Sequence, residues 1–233
     1  MRKPARFVAG LTGVLAVGLA VFAGWALYPH DDPRPLRAPL VAATSVQGQA
    51  MLAGAEASAD YERLSRTFQA QSLASYCGVA SSVAVLRALG KEATQADFFL
   101  NDPQGLRSRL KVTFGGMTLG ELAVLLSAQG VRTSIHHADE FGVEQFRDVI
   151  VTNLADTDDY LIVNYGREIL GQGEMGHMSP VAAYDRETDS VLVMDTASNK
   201  YPPTWVPVAL LVEAMRTADG ASGKMRGYVE VSR

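Results

Sequence analysis

The chain has 233 residues, 48% of them hydrophobic and 20% charged, enough apolar material for one well-filled core. A formal net charge of -4 gives no reason to expect a nucleic-acid partner. A single cysteine, Cys77, excludes intramolecular disulfides and any zinc site built on several cysteines, and no HExxH pair is present.

Arg2, Lys3 and Arg6 precede an apolar run, Phe7 to Tyr28, that no charge interrupts. A basic flank followed by an apolar stretch is the pattern of a secretory signal or an N-terminal anchor. Residues 1–28 are therefore expected to be a signal or membrane anchor, at about the 20 residues a bilayer span needs. The positive-inside rule then puts the body on the extracytoplasmic side, inner-membrane anchored or secreted. Residues 29–50, with Pro29-His-Asp-Asp-Pro-Arg-Pro35, read as a Pro-rich tether, and residues 51–233 as a single folded domain.

The first half of that domain reads as helical. Tyr61 to Gln69 leads into a helix from Cys77 to Leu89, stopped by Gly90. Thr118-Leu-Gly-Glu121 is a capping box that opens a helix through Ser127. Asp139 to Leu154 carries Phe141, Val143, Phe146, Val149 and Ile150 at roughly helical spacing. The second half turns to strands: Tyr160 to Tyr165, Met178 to Tyr184 and Val191 to Asp195. Helices first and sheet second predict an α+β fold.

Cys77 sits where a loop turns into a helix, in Gln71-Ser-Leu-Ala-Ser-Tyr-Cys77-Gly-Val-Ala-Ser81. A thiol in a first helical turn meets the positive end of the dipole and unpaired N–H groups, which favour the thiolate, the nucleophilic form. It needs an imidazole to take its proton and a carboxylate to orient that imidazole. His177 starts one predicted strand and Asp195 ends the next, so a hairpin brings them to the same end. His177 is expected to share a face with Ser179, Val181 and Ala183. Gln71 is a candidate second oxyanion donor beside the Cys77 backbone N–H. His136 and His137, in Ser134-Ile-His-His-Ala-Asp-Glu140, are read as surface residues.

Three segments carry a resemblance. The nucleophile stretch Gln71–Ser81, the segment Gly176-His-Met-Ser-Pro-Val-Ala-Ala-Tyr-Asp185, and Asp195-Thr-Ala-Ser-Asn-Lys-Tyr-Pro-Pro-Thr-Trp-Val206 resemble motifs of the phytochelatin synthase family. The resemblance implies a papain-like fold, a helical half followed by an antiparallel sheet half. It also implies a Cys77–His177–Asp195 triad with Gln71 in the oxyanion hole. Tyr76, Gly78, Gly176, Ser179, Lys200 and Tyr201 are candidate substrate-binding residues. The family cleaves the Cys–Gly bond of glutathione through a γ-glutamylcysteinyl thioester, which a second thiol peptide or water then takes. No protein-bound cofactor or metal is implied; cadmium or zinc enters as a thiolate complex of the substrate. Leu73 and Ala74 stand where plant members have Glu-Pro, and Ser198 where the family usually has arginine. The likeness to short bacterial members implies hydrolysis exceeding peptide formation. The alternatives are a papain-like peptidase that trims bacteriocin leaders, and a membrane-tethered binding homologue without turnover.

Overall fold

The computed structural model describes residues 18, 22, 24, 25, 27–102, 105 and 109–233. The apolar run expected to enter a membrane lies largely outside these. Among the described residues no helix is long and apolar enough to cross a bilayer.

Within residues 28–70, three elements lie ahead of the nucleophile segment. Strand β1 is Val41–Ala42, helix α1 Val46–Gly54 and helix α2 Ala59–Thr67. The stretch expected to be a tether thus contains β1 and the start of α1, and the expected boundary at Met51 falls inside a helix. The sequence signal for α1 is its N-cap: Ser45 Oγ accepts from the Gly48 N–H at 3.0 Å. Trp205 Nε1 docks the same helix through the Gly48 carbonyl at 3.0 Å.

Helix α3 is Cys77–Ala88, α4 is Arg109–Gly115 and α5 is Leu119–Ser127. The expected capping box of α5 is present in both directions between Thr118 and Glu121. Strand β2, Arg132–His137, occupies a stretch that polarity marked only as surface. His136 and His137 are half-buried there, His136 stacked on Tyr228 with ring centroids 4.8 Å apart. Helix α6 runs Val143–Asn153 and starts later than expected from Asp139. Gly142 is still extended, and Gln145 Oε1 takes its N–H.

The remaining elements are β3 Asp159–Gly166, β4 Gly176–Asp185, β5 Ser190–Val193, β6 Thr204–Pro207, α7 Val208–Met215 and β7 Gly227–Ser232. They complete a seven-stranded sheet in the order β1-β6-β5-β4-β3-β7-β2. Its strand pairs are antiparallel. The fold is α+β, as expected. The sheet is nevertheless not confined to the second half, because β1 and β2 close its two edges.

Both faces of the sheet are covered. One packs against α2, α3 and α5 through Leu64, Val83, Leu86, Leu122, Ile162 and Leu192. The other packs against α6 and α7 through Ile150, Leu161, Val163, Val191, Leu211 and Met215. This explains the continuous apolar reading of β3, whose successive side chains alternate between two cores. A bulge in β4 opposite β5 breaks the alternation between Val181 and Ala183. Ala182 and Ala183 consequently face the same core, with Val181 on the other side. The simple parity that placed Ala183 with His177 does not survive the bulge.

One buried acid has no role in the cleft described below. Asp60 on α2 is fully buried, and neither carboxylate oxygen has a hydrogen-bond partner. Burial, reinforced by the charge of Asp159, pushes its pKa up to about 9, against the opposing pull of Arg63. The unfolded chain releases this proton near the ordinary carboxylate value, whereas the native state keeps it to about pH 9. Between those limits the native state binds more protons, so its stability falls as pH rises, by up to about 1.4 kcal/mol per unit. Asp60→Asn is expected to flatten this slope and to raise stability most at pH 8. Urea unfolding of both proteins from pH 5 to 8 checks it, and parallel slopes would contradict it.

Candidate active site

Helix α3 crosses β4, and its residues Gly78 to Leu86 are buried all round. Ser81 Oγ, close to both the Cys77 carbonyl (2.8 Å) and the Met178 carbonyl (3.0 Å), links the first turn of the helix to the strand. Gly78 allows the close approach: a Cβ there would lie 2.9 Å from Met117 Sδ and 3.0 Å from Met178 Sδ. The sequence thus fixes the first turn of α3 directly over the start of β4. As the first residue of α3, Cys77 has a backbone N–H with no partner inside its own helix.

His177, the second residue of β4, is 5% exposed and lies opposite Tyr165 of β3. Its Nε2 is 2.9 Å from Asp195 Oδ1, which leaves Nδ1 for the thiol side. Asp195 lies two residues past the end of β5 rather than within it. Its backbone turns there, with the Ala197 N–H donating to Oδ1 at 2.8 Å. Sulfur, imidazole and carboxylate therefore converge: Cys77 and His177 line one cleft and influence each other's ionisation, and His177 pairs with Asp195.

Burial alone would push the Cys77 thiol up. The hydrogen bond and charge of His177, the Met178 backbone N–H and the Arg167 guanidinium outweigh it and leave the thiol below its ordinary value. Burial and the Arg167 charge depress His177, but Asp195 and the thiol prevail and raise it. Burial would raise Asp195, yet His177, Arg167 and the Ala197 N–H hold it far below the carboxylate range. These directions favour a thiolate–imidazolium pair resting on an ionised carboxylate.

Sequence reasoning did not find Arg167. It follows β3, and its Nη2 lies 2.8 Å from each oxygen of Asp195. Nη1 donates to Gln172 Oε1 at 2.6 Å, and Tyr201 lies under the guanidinium at 5.1 Å. Its contacts come from distant segments, so no local motif marks it.

Gln71 is 7% exposed and donates one Nε2 hydrogen to the Ala74 carbonyl at 2.8 Å. The amide's second hydrogen remains for the cleft. Thr196, not singled out by sequence, has its hydroxyl 3.5 Å from both Gln71 Oε1 and His177 Nε2.

The cleft over these groups holds about 550 Å³, within the range of small-ligand pockets. Of the expected substrate-binding residues, Gly176, Lys200 and Tyr201 line it, with Gln71, Cys77 and His177. Tyr76, Gly78 and Ser179 do not. Tyr76 is buried with its ring edge on Phe99, Gly78 serves helix packing, and Ser179 is wholly buried. Asn164 and Arg226 also line the cleft, 3.1 Å apart, on the β3–β7 side. Among the described residues no group of three or more His, Cys, Asp or Glu is placed to hold a metal.

The phytochelatin synthase family model matches residues 32–228. This chain belongs to the phytochelatin synthase family. It is 36% identical over 175 residues to a glutathione gamma-glutamylcysteinyltransferase 3 of Lotus japonicus, covering 71% of this chain and 36% of that protein. Against glutathione gamma-glutamylcysteinyltransferase 1 of Triticum aestivum the identity is 34% over 219 residues, 89% of this chain and 43% of the wheat protein. Against the Arabidopsis thaliana glutathione gamma-glutamylcysteinyltransferase 1 it is 31% over 216 residues, 89% and 44%. The phytochelatin synthase-family chain thus spans less than half the length of these relatives. A putative C39-like peptidase from Bacillus anthracis aligns in structure with a TM-score of 0.44 and 12% identity, over 69% of this chain and 90% of that one.

Proposed function

We propose that this chain cleaves the Cys–Gly bond of glutathione through a γ-glutamylcysteinyl thioester on Cys77. The observation that carries the reading is that Cys77 and His177 line one cleft of small-ligand size, with Asp195 paired to His177, in a member of this family. The Cys77 thiolate attacks the carbonyl carbon of the Cys–Gly bond. The resulting oxyanion accepts hydrogen bonds from the Cys77 backbone N–H and the Gln71 amide. His177 passes its Nδ1 proton to the departing glycine amine, while Asp195 holds Nε2 and so the ring's orientation. Collapse leaves the thioester and neutral His177. Water then gives its proton to His177 and attacks the thioester, releasing γ-glutamylcysteine and restoring the thiolate. A thiol peptide in place of water would give a phytochelatin.

Hydrolysis is proposed to dominate, because Ser198 provides no cation to hold an acceptor's carboxylate at that position. Cadmium or zinc would enter as substrate thiolates. The fold is read as papain-like, with the nucleophile on a helix, the imidazole on strand β4 and the carboxylate just past the end of β5. Mass spectrometry of products from glutathione, with and without cadmium, tests the reading. Glycine and γ-glutamylcysteine are expected in excess over chain-extended peptide. Intact glutathione in both conditions would refute the proposal.

A further inference from the structure

The N-terminal segment that composition marked as a tether instead follows a wall of the cleft. The Asp32 N–H donates to the Asn199 carbonyl at 3.0 Å, and the Arg34 N–H to the Lys200 carbonyl at 2.9 Å. Asn199 Nδ2 returns a bond to the His30 carbonyl, and the Ala43 N–H reaches the Pro203 carbonyl at 2.8 Å. Extended chain thus runs beside the loop that follows Asp195. The pairing places Arg34 in the cleft lining together with Lys200 and Tyr201. Asp32 Oδ2 accepts from Arg34 Nε at 2.8 Å and Nη2 at 2.5 Å, fixing the guanidinium, whose side chain remains 47% exposed.

Apart from Arg167, which is held by Asp195, and Glu174 in the loop between β3 and β4, the charged groups lining the cleft fall into two sets. On the β3–β7 side Arg226 stands with Asp219, a cation and an anion that suit a zwitterionic amino-acid head. On the other side stand the cations Arg34 and Lys200, with Arg34 already sharing its charge with Asp32. Glutathione has the matching asymmetry. Its γ-glutamyl end bears an ammonium and a carboxylate, and its glycyl end bears a carboxylate alone. Cys77 and His177 line the same cleft, as cleavage between the two ends requires.

Resting on the reading of this chain as a glutathione-cleaving enzyme, we propose that the N-terminal segment is part of the substrate site and that Arg34, beside Lys200, binds the glycyl carboxylate of glutathione. The interaction is a charge-assisted hydrogen bond at a partly exposed position, so its removal weakens binding about tenfold. It acts on the ground-state complex and involves no proton or bond exchange.

Binding to the uncleaving Cys77→Ala protein, followed by calorimetry, separates this from the chemistry. The probes are glutathione and glutathione amidated at its glycyl carboxyl. Cys77→Ala is expected to bind glutathione about tenfold more tightly than the amide. Adding Arg34→Gln should remove that preference by weakening glutathione alone, whereas Arg34→Lys should keep most of it. Equal weakening of both probes by Arg34→Gln would show that the residue only braces the loop and would overturn the proposal. An unchanged preference would overturn it too, while leaving the cleavage reading intact. No binding of either probe to Cys77→Ala would instead remove the reading on which the proposal rests.

Discussion

Replacing Cys77 by serine is expected to lower glycine release from glutathione by about 10³-fold or more. The reason lies in ionisation rather than shape. His177, the Met178 N–H and Arg167 together overcome the burial that would keep the sulfur protonated. The same surroundings cannot bring an alcohol near neutrality, since its intrinsic acidity is many units weaker. The serine protein would then need proton removal in step with attack. Acid-quenched wild-type protein should carry one γ-glutamylcysteinyl unit on Cys77 by intact-mass and peptide analysis. The serine variant should carry none. Wild-type rates of glycine release from Cys77→Ser would require a different nucleophile, and Cys77 is the single cysteine of the chain.

How much of this site the sequence carries depends on how local each residue's duty is. Cys77 is legible because helix-start geometry is written in the adjacent residues. His177 and Asp195 are legible because strands on either side of the turn Asp185–Ser190 fold back on each other. The strand register is less so, since the β4 bulge leaves no period that a pattern of apolar residues would reveal. Strand β2 was missed because its burial pattern is mostly open and its partner, β7, lies at the far end of the chain. Residues 29–42 look like a linker by composition, and their order comes from backbone bonds to residues 199–203, which composition cannot encode. Tyr76, Gly78 and Ser179 illustrate the reverse error. Each lies within two residues of a reactive one in sequence, yet its side chain or its lack of one serves packing.

Arg167 is the residue whose function is least visible in sequence, and its replacement by methionine should be felt in two separable ways. The first is stability. Its guanidinium holds both oxygens of Asp195 at 2.8 Å, and both side chains are almost fully buried. Removing one member of such a pair leaves a desolvated charge, at a cost of about 3–5 kcal/mol. For a chain of this size that corresponds to a melting point lower by roughly 10 °C. The second is the pH dependence of glycine release, which a purely structural role would not shift. Arg167 stabilises the thiolate and opposes the imidazolium, lowering Cys77 and His177 alike. Without it both rise, so the acid limb and the alkaline limb, which belong to the coupled pair, move together to higher pH. Asp195→Asn acts oppositely on His177, because the lost carboxylate is what raises the imidazole; its alkaline limb should move to lower pH. Opposite displacements of the alkaline limb in the two variants would identify Arg167 as the charge that sets the balance of the pair. An Arg167→Met profile superimposable on the wild type would reduce the residue to a brace for Asp195.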